Sequence, residues 1–265
     1  MRKTVILAAL AILMCACTPK LVILHTNDTH SHFEPVRGTE VDGRGGVIEI
    51  AAYVDSVRAA NGDDKVLLLH AGDFSQGTSY FTTLGGTLEI EMLNALRFDC
   101  VALGNHEFDN GIEALAERLK HLECPCVCAN LDLRSFELGE LVQPYVILQK
   151  AGMKIGIIGL ETDISTVVAK EISSRIPQLD NVEEVNRWSE KLHQEGCDLI
   201  ILLSHLGWRE DHELVPQTKW LDLVVGGHSH TFIEDMGAVR DANGHKVPIV
   251  TDGEWGLSMG ELSIY

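Results

Sequence analysis

Five short segments hold the side chains whose types and spacing could do chemistry: His25-Thr26-Asn27-Asp28-Thr29-His30, Ala71-Gly72-Asp73, Gly104-Asn105-His106-Glu107-Phe108-Asp109, Ser204-His205-Leu206-Gly207 and Gly226-Gly227-His228-Ser229-His230. From them come Asp28, His30, Asp73, Asn105, His205, His228 and His230, a mixed set of imidazole nitrogens and carboxylate or amide oxygens without a thiolate. Such a set suits borderline divalent ions such as Zn, Mn or Fe rather than Ca. Taken singly, each element is common at a turn or in a core. Their shared position is what matters, since each follows an apolar run that reads as a buried strand. In an open α/β sheet, the loops beyond the carboxyl ends of the strands form the ligand crevice, so five such loops can converge. Gly72, Gly104, Gly226 and Gly227 are expected to permit tight or positive-φ turns that bring backbone close to an ion.

The elements that must position these loops alternate between strand-like and helix-like apolar spacing. Strands are expected at 21–24, 66–69, 100–103, 145–148, 155–159, 199–203 and 223–225, with closing strands at 247–250 and 257–264. Helices are expected over 47–60, 88–96, 111–122 and 182–195. No internal repeat, low-complexity run or long Pro/Gly/Ser linker interrupts them, so the 265 residues read as one α/β domain after an export segment.

The charge balance opposes an anionic ligand. There are 21 Lys and Arg against 39 Asp and Glu, a formal charge of −18, and such a surface repels phosphate backbones. A nucleic-acid-binding module is therefore not expected. A phosphate can still be bound where metal ions set the local field. Six of the twelve His lie in the segments above, and all but His25 are candidates for the site.

The first residues read as an export signal. Arg2 and Lys3 precede a ten-residue apolar stretch, Val5 to Met14, too short to cross a bilayer core of about 30 Å. Ala16-Cys17 then resembles a bacterial lipobox, in which the cysteine is lipidated and becomes the first mature residue; ordinary signal cleavage is the alternative. On the lipobox reading the signal is 1–16, the mature chain is 17–265, and the protein is an exported bacterial lipoprotein anchored to a membrane, periplasmic or on the cell surface. Cys100, Cys124, Cys126, Cys128 and Cys197 remain, an odd number with no disulfide predicted. Cys124, Cys126 and Cys128 alternate as on one face of a strand, a spacing that favours buried packing over structural zinc.

The series Asp28-x-His30, Gly72-Asp73, Gly104-Asn105-His106-Glu107, Ser204-His205 and Gly227-His228-Ser229-His230 resembles the calcineurin-like metallophosphoesterases, and its flanking residues resemble their 5'-nucleotidase branch. The resemblance runs from about Leu21 to the C-terminus. It implies a four-layer α/β/β/α sandwich holding two divalent metal ions. By the same resemblance Asp28, His30 and His230 hold one ion, Asn105, His205 and His228 the other, and Asp73 bridges them. It also implies hydrolysis of a phosphate ester by in-line attack of a metal-bound hydroxide, with His106 facing the phosphate and Asp109 orienting His106. Asp109 as an N-cap for the following helix is the alternative. Asn105, His106 and Asn130 are expected to line the substrate pocket. His25 and His32 are expected to have no direct role, and the four Trp are expected to pack.

Full-length 5'-nucleotidases carry a second, C-terminal nucleotide-binding domain, which the resemblance does not extend to and which is expected to be absent. Nucleotides and simpler phosphate esters are then both open as substrates. A stand-alone phosphatase and a catalytic subunit whose substrate-binding domain is a separate polypeptide both remain open, and a non-catalytic metal-binding scaffold is the competing class.

Overall fold

The computed structural model describes residues 19–234 and 236–265. The expected signal segment 1–16 and lipidated Cys17 lie outside the described residues.

Among the described residues, twelve strands form two six-stranded sheets. In the first, β1 (Leu21–Thr26), β2 (Val66–His70), β3 (Cys100–Ala102), β4 (Cys126–Val127) and β5 (Val142–Gln143) are parallel neighbours in that order. In the second, β6 (Tyr145–Lys150) is antiparallel to β7 (Met153–Glu161), which continues in parallel to β8 (Leu199–His205) and β9 (Leu223–Gly226). β10 (Gly237–Arg240) and β11 (Lys246–Val250) complete that sheet beyond β9, and β12 (Gly260–Ile264) returns to the first sheet antiparallel to β1.

The period-two alternation of each strand sorts its side chains between two cores. Leu21 and Ile23 of β1 point into the layer between the sheets, where they join Leu67, Leu69, Ile155, Ile157, Ile201, Leu203 and Val225. Val22 and Leu24 point the other way, onto Val54, Ile90, Leu93 and Leu115 of helices Val47–Asn61, Thr87–Leu96 and Ile112–Leu119. The outer face of the second sheet buries Ile200, Leu202 and Val224 against Val185 and Leu192 of helix Asn181–Gln194 and Leu214 of helix Trp208–Leu214. Each fully buried Leu or Ile contributes about 1.5–3 kcal/mol of transfer free energy. The result is the expected four-layer α/β/β/α sandwich.

Helix Asn181–Gln194 starts where Asp180 caps it by accepting from the Glu183 amide at 2.8 Å. Helix Ile112–Leu119 is shorter than its apolar spacing suggested, because the Lys120 and His121 amides already turn back to Ala116 and Arg118 ahead of Cys124-Pro125. Its N-cap is Gly111 with no side-chain bond, so Asp109 does not cap it. Cys126 and Cys128 are buried in the outer core with Cys124 packed beside them, while Val127 between them faces the inter-sheet core, the alternation of one strand. All five described cysteines are free thiols.

Candidate metal centre

The carboxyl ends of β1, β2, β3, β8 and β9 meet at one end of the sandwich. There the donor atoms of Asp28, His30 and His230 lie within 4.8 Å of one another, and those of Asp73, His205 and His228 form a second such group. Asn105 joins the second group, its Oδ1 being 2.9 Å from His228 Nδ1. Asp73 stands between them: its Oδ2 is 3.1 Å from His205 Nε2 and 4.0 Å from His30 Nε2, while its Oδ1 accepts from the His106 amide at 2.9 Å. Asp28 is held from two sides. The Asn27 amide donates to its Oδ2 at 2.6 Å and the His228 backbone N–H donates to the same oxygen at 2.9 Å.

Five of these seven residues have left-handed backbone, with φ of 49° at Asp28, 47° at His30, 55° at Asp73, 72° at His228 and 51° at His230. This conformation is costly for residues with a Cβ and persists only where the surroundings enforce it. The sequence placed it at the glycines, and of those only Gly72 adopts it, at 86°. Gly104 and Gly227 are needed for a different reason, the close approach of other loops, and Gly226 for that of the Asp211 carboxylate on helix Trp208–Leu214. A Cβ on Gly104 would stand 2.3 Å from the Asp73 amide nitrogen, and one on Gly227 would stand 2.7 Å from the Ala71 carbonyl.

The donor set fits a pair of divalent cations. His205 Nε2 is fully buried and has no hydrogen-bond partner, although a carboxylate oxygen is close. Its other nitrogen is fixed by the Ala71 carbonyl at 2.7 Å, so Nε2 is aimed into the crevice. Burial opposes charge on His205, but Asp73, Asp28 and Glu161 outweigh it and raise its pKa well above the ordinary value. A proton is drawn to a position where the field calls for a cation. Burial lowers the pKa of His30 and His228 and so favours the neutral imidazoles that a metal requires. At Asp73 burial acts against ionisation, yet His205 outweighs it and holds the carboxylate ionised. The Nε2 atoms of His30 and His230 converge to 3.0 Å.

His106 lies at the crevice edge with its ring 5.4 Å from that of His30, and its Nδ1 is 2.9 Å from Asp109 Oδ2. That hydrogen bond, partly opposed by burial, raises the His106 pKa. With Nδ1 engaged, Nε2 is the nitrogen left for a ligand.

Asn130 is a correction. It is fully buried, and its amide is used up in clamping β4 to β7: it donates to the Glu161 carbonyl at 2.5 Å and to Asn181 Oδ1 at 2.7 Å, and accepts from the Glu161 amide at 2.9 Å. It lines no pocket. His25, expected to have no direct role, is buried beside Asp252 at 2.5 Å, and His32 stacks on Trp255 with ring centroids 4.7 Å apart.

Three supporting groups escaped the sequence reading. The buried Glu107 carboxylate accepts from the amides of Gly104 at 2.6 Å, Asp73 at 2.9 Å and Ser75 at 3.0 Å, which ties two ligand loops together; burial pushes its pKa up to about 7. Arg118, also buried, donates to Ser75 Oγ at 3.0 Å and to the Glu107 carbonyl at 2.6 Å. Its signal was a charge on the apolar face of a helix, next to Leu115, Ala116 and Leu119. Glu254 lies 2.7 Å from His230 Nδ1, in the loop after β11, a sixth strand end carrying acidic residues.

Residues 21–232 match the family model of the calcineurin-like phosphoesterases. The chain belongs to that family. The relatives it matches include 5'-nucleotidases. It is 35% identical to a probable 5'-nucleotidase of Treponema pallidum over 92% of this chain and 45% of that protein. The solved structure of a 5'-nucleotidase precursor from Thermus thermophilus superposes with a TM-score of 0.85 at 34% identity, covering 92% of this chain and 51% of the other. The NAD nucleotidase of Haemophilus influenzae superposes with a TM-score of 0.82 at 32% identity over 91% of this chain and 46% of the other. This calcineurin-like chain thus spans about half the length of the relatives it matches.

Proposed function

We propose that this calcineurin-like domain hydrolyses phosphate esters, nucleotides foremost, with two divalent ions at the crevice. The observation that carries the reading is the placement of Asp73 Oδ2 between two groups of donors, 3.1 Å from His205 Nε2 and 4.0 Å from His30 Nε2. Asp28, His30 and His230 would hold one ion, Asn105, His205 and His228 the other, and Asp73 would bridge them. Two bound divalent ions supply positive charge for the phosphate and a nucleophilic water near neutral pH. That local charge answers the repulsion expected from a chain of formal charge −18.

The remaining work falls to the chain's own residues. Asp109 fixes the His106 ring through Nδ1, leaving Nε2 to donate to a phosphoryl oxygen or to the departing ester oxygen. The Asn105 side chain would orient the phosphate beside His228. A non-catalytic scaffold would have no use for the His106–Asp109 pair.

Nucleotides are preferred as substrates because the relatives named above are a probable 5'-nucleotidase, a 5'-nucleotidase precursor and an NAD nucleotidase. The crevice accounts for the phosphate and not for the nucleoside, so a separately encoded substrate-binding subunit is a second reading, open to co-purification. Membrane attachment through lipidated Cys17 in an exported, periplasmic or surface-exposed protein completes the proposal and rests on the sequence of residues 1–17. No helix among the described residues is long and apolar enough to cross a membrane.

Phosphate release from a panel of nucleotides and a chromogenic phosphate ester, with added Mn or Zn and with chelator, tests the reading. Metal-dependent release is expected. Metal-independent release, or none with any metal, would overturn it.

A further inference from the structure

The imidazoles around the crevice are not braced alike. His205 and His30 have their outer nitrogens against backbone carbonyls, Ala71 at 2.7 Å and Ser75 at 3.3 Å, and both rings are buried. His228 turns Nδ1 inward, toward Asn105. His230 is different: its side chain is 38% exposed and its outer nitrogen meets a carboxylate, Glu254 Oε2 at 2.7 Å. Among the described residues Glu254 makes no other side-chain hydrogen bond or ion pair.

The loop that presents Glu254 is fastened on both sides of it. Before it, Asp252 pairs with buried His25 at 2.5 Å, the Asp252 amide donates to Asn27 Oδ1 at 2.8 Å, and the Asn27 amide donates to the Gly253 carbonyl at 2.7 Å. After it, the Trp255 amide donates to the Asp28 carbonyl at 2.7 Å and the Trp255 ring stacks on His32. Asn27 also donates to the Asp28 carboxylate, so one network sets both Asp28 and the carboxylate behind His230.

We propose that Glu254 is a positioning residue that fixes the orientation of His230 and thereby sets the affinity of one ion position, that of Asp28, His30 and His230, independently of the other. The inference rests on the two-metal reading above. A carboxylate behind a ligating imidazole locks its tautomer and ring angle and increases its donor strength, and losing such a partner typically costs about 10–100-fold in metal affinity. In the second group His205 needs no such brace, because the Ala71 carbonyl and burial already hold its ring.

The test uses the purified full-length chain as wild type, Glu254→Gln and Glu254→Ala. Each is loaded with Mn(II) and titrated with a chromophoric chelator, bound metal is counted by mass spectrometry, and the Mn EPR spectrum is recorded. Thermal melting of the metal-free proteins checks the fold, and the Gln variant keeps size and an acceptor should the Ala variant fail to fold. Wild type should retain two ions with a coupled spectrum. Both variants should lose one ion at about 10–100-fold lower chelator concentration, Ala more readily than Gln, and keep the second with an isolated-ion spectrum. Two ions retained as in wild type, or both lost together from a folded variant, would overturn the inference alone. A wild type that binds no pair of ions would overturn the two-metal reading and this inference with it.

Discussion

Asp109 Oδ2 lies 2.9 Å from His106 Nδ1, and this contact turns a half-exposed imidazole at the crevice edge into a fixed donor. His106→Asn should therefore lower kcat by roughly 10²–10⁴-fold, the range for removing a positioned acid or donor, with a smaller effect on KM. Asp109→Asn should lower it less, because the amide oxygen can still accept from Nδ1. Both variants should bind as much metal as wild type. Steady-state kinetics with metal analysis checks this, and a His106→Asn enzyme with wild-type kcat would remove His106 from the chemistry.

Ion binding should stabilise the fold, since folding gathers the donors and the unfolded chain has no such site. At 100 times the Kd the gain is about 2.7 kcal/mol per independent site, visible as a rise in Tm on adding Mn(II). Asp73→Ala should abolish most of that rise, because Asp73 faces both donor groups. Differential scanning calorimetry with and without chelator measures it; an unchanged rise in the variant would refute the shared role.

Gly104→Ala probes the junction of two ligand loops. The new Cβ would meet the Asp73 backbone nitrogen and Oδ1 at 2.3 Å, and backbone cannot step aside as a flexible side chain can. Overpacking of this kind costs about 1–3 kcal/mol. Urea unfolding should show that loss together with weakened metal binding, since the atom struck belongs to Asp73. Wild-type metal affinity in Gly104→Ala would mean that the loops adjust freely.

Arg118→Ala should destabilise the chain by about 1.5–3 kcal/mol for each charge-assisted hydrogen bond lost, those to Ser75 Oγ and to the Glu107 carbonyl. Arg118→Lys should rescue little, because one ammonium cannot reproduce the planar fork that reaches both Ser75 Oγ and the Glu107 carbonyl. Chemical unfolding of the three proteins decides it, and full rescue by lysine would show that charge alone matters.

His70, fully buried at the end of β2 with its Nε2 3.0 Å from Thr29 Oγ1, has its pKa pushed down to about 3 by burial. The unfolded chain protonates this imidazole near pH 6.5 and the folded chain does not until about pH 3. Stability from this group is therefore present above pH 6.5 and is lost as pH falls toward 3, by several kcal/mol at most, on the order of 1.4 per pH unit. In chelator-treated protein, His70→Gln should show a shallower decline of unfolding free energy between pH 7 and pH 4 than wild type. Equal slopes would contradict the assignment.

The sequence by itself determined the strands and the order of their polar ends. Runs such as Leu21–Leu24 and Leu199–Leu203 can only be buried, and the chain direction of parallel strands places Asp28, Asp73, Asn105, His205 and His228 at one end of the sandwich. It also fixed the donor chemistry, which depends on residue type alone. The two-residue strand β5 was invisible, because Val142 and Gln143 have no period to read, whereas β4 showed only through the alternation of Cys124, Cys126 and Cys128. Only the tertiary structure decided which polar residues work on the crevice and which serve the frame. Asn130 and Glu107 each sit near a strand end, yet Asn130 is consumed by Glu161 and Asn181, whereas Glu107 collects amides from the loops that carry Asp73 and Asn105. Glu254 lies 226 residues beyond Asp28 in the chain and reaches the centre because β11 runs parallel to β9 and the loop after it is fastened to Asn27 and Asp28. Such pairings are set by close approach in three dimensions, and the left-handed backbone at five of the candidate ligands is likewise imposed by the packing around them rather than by their own preferences.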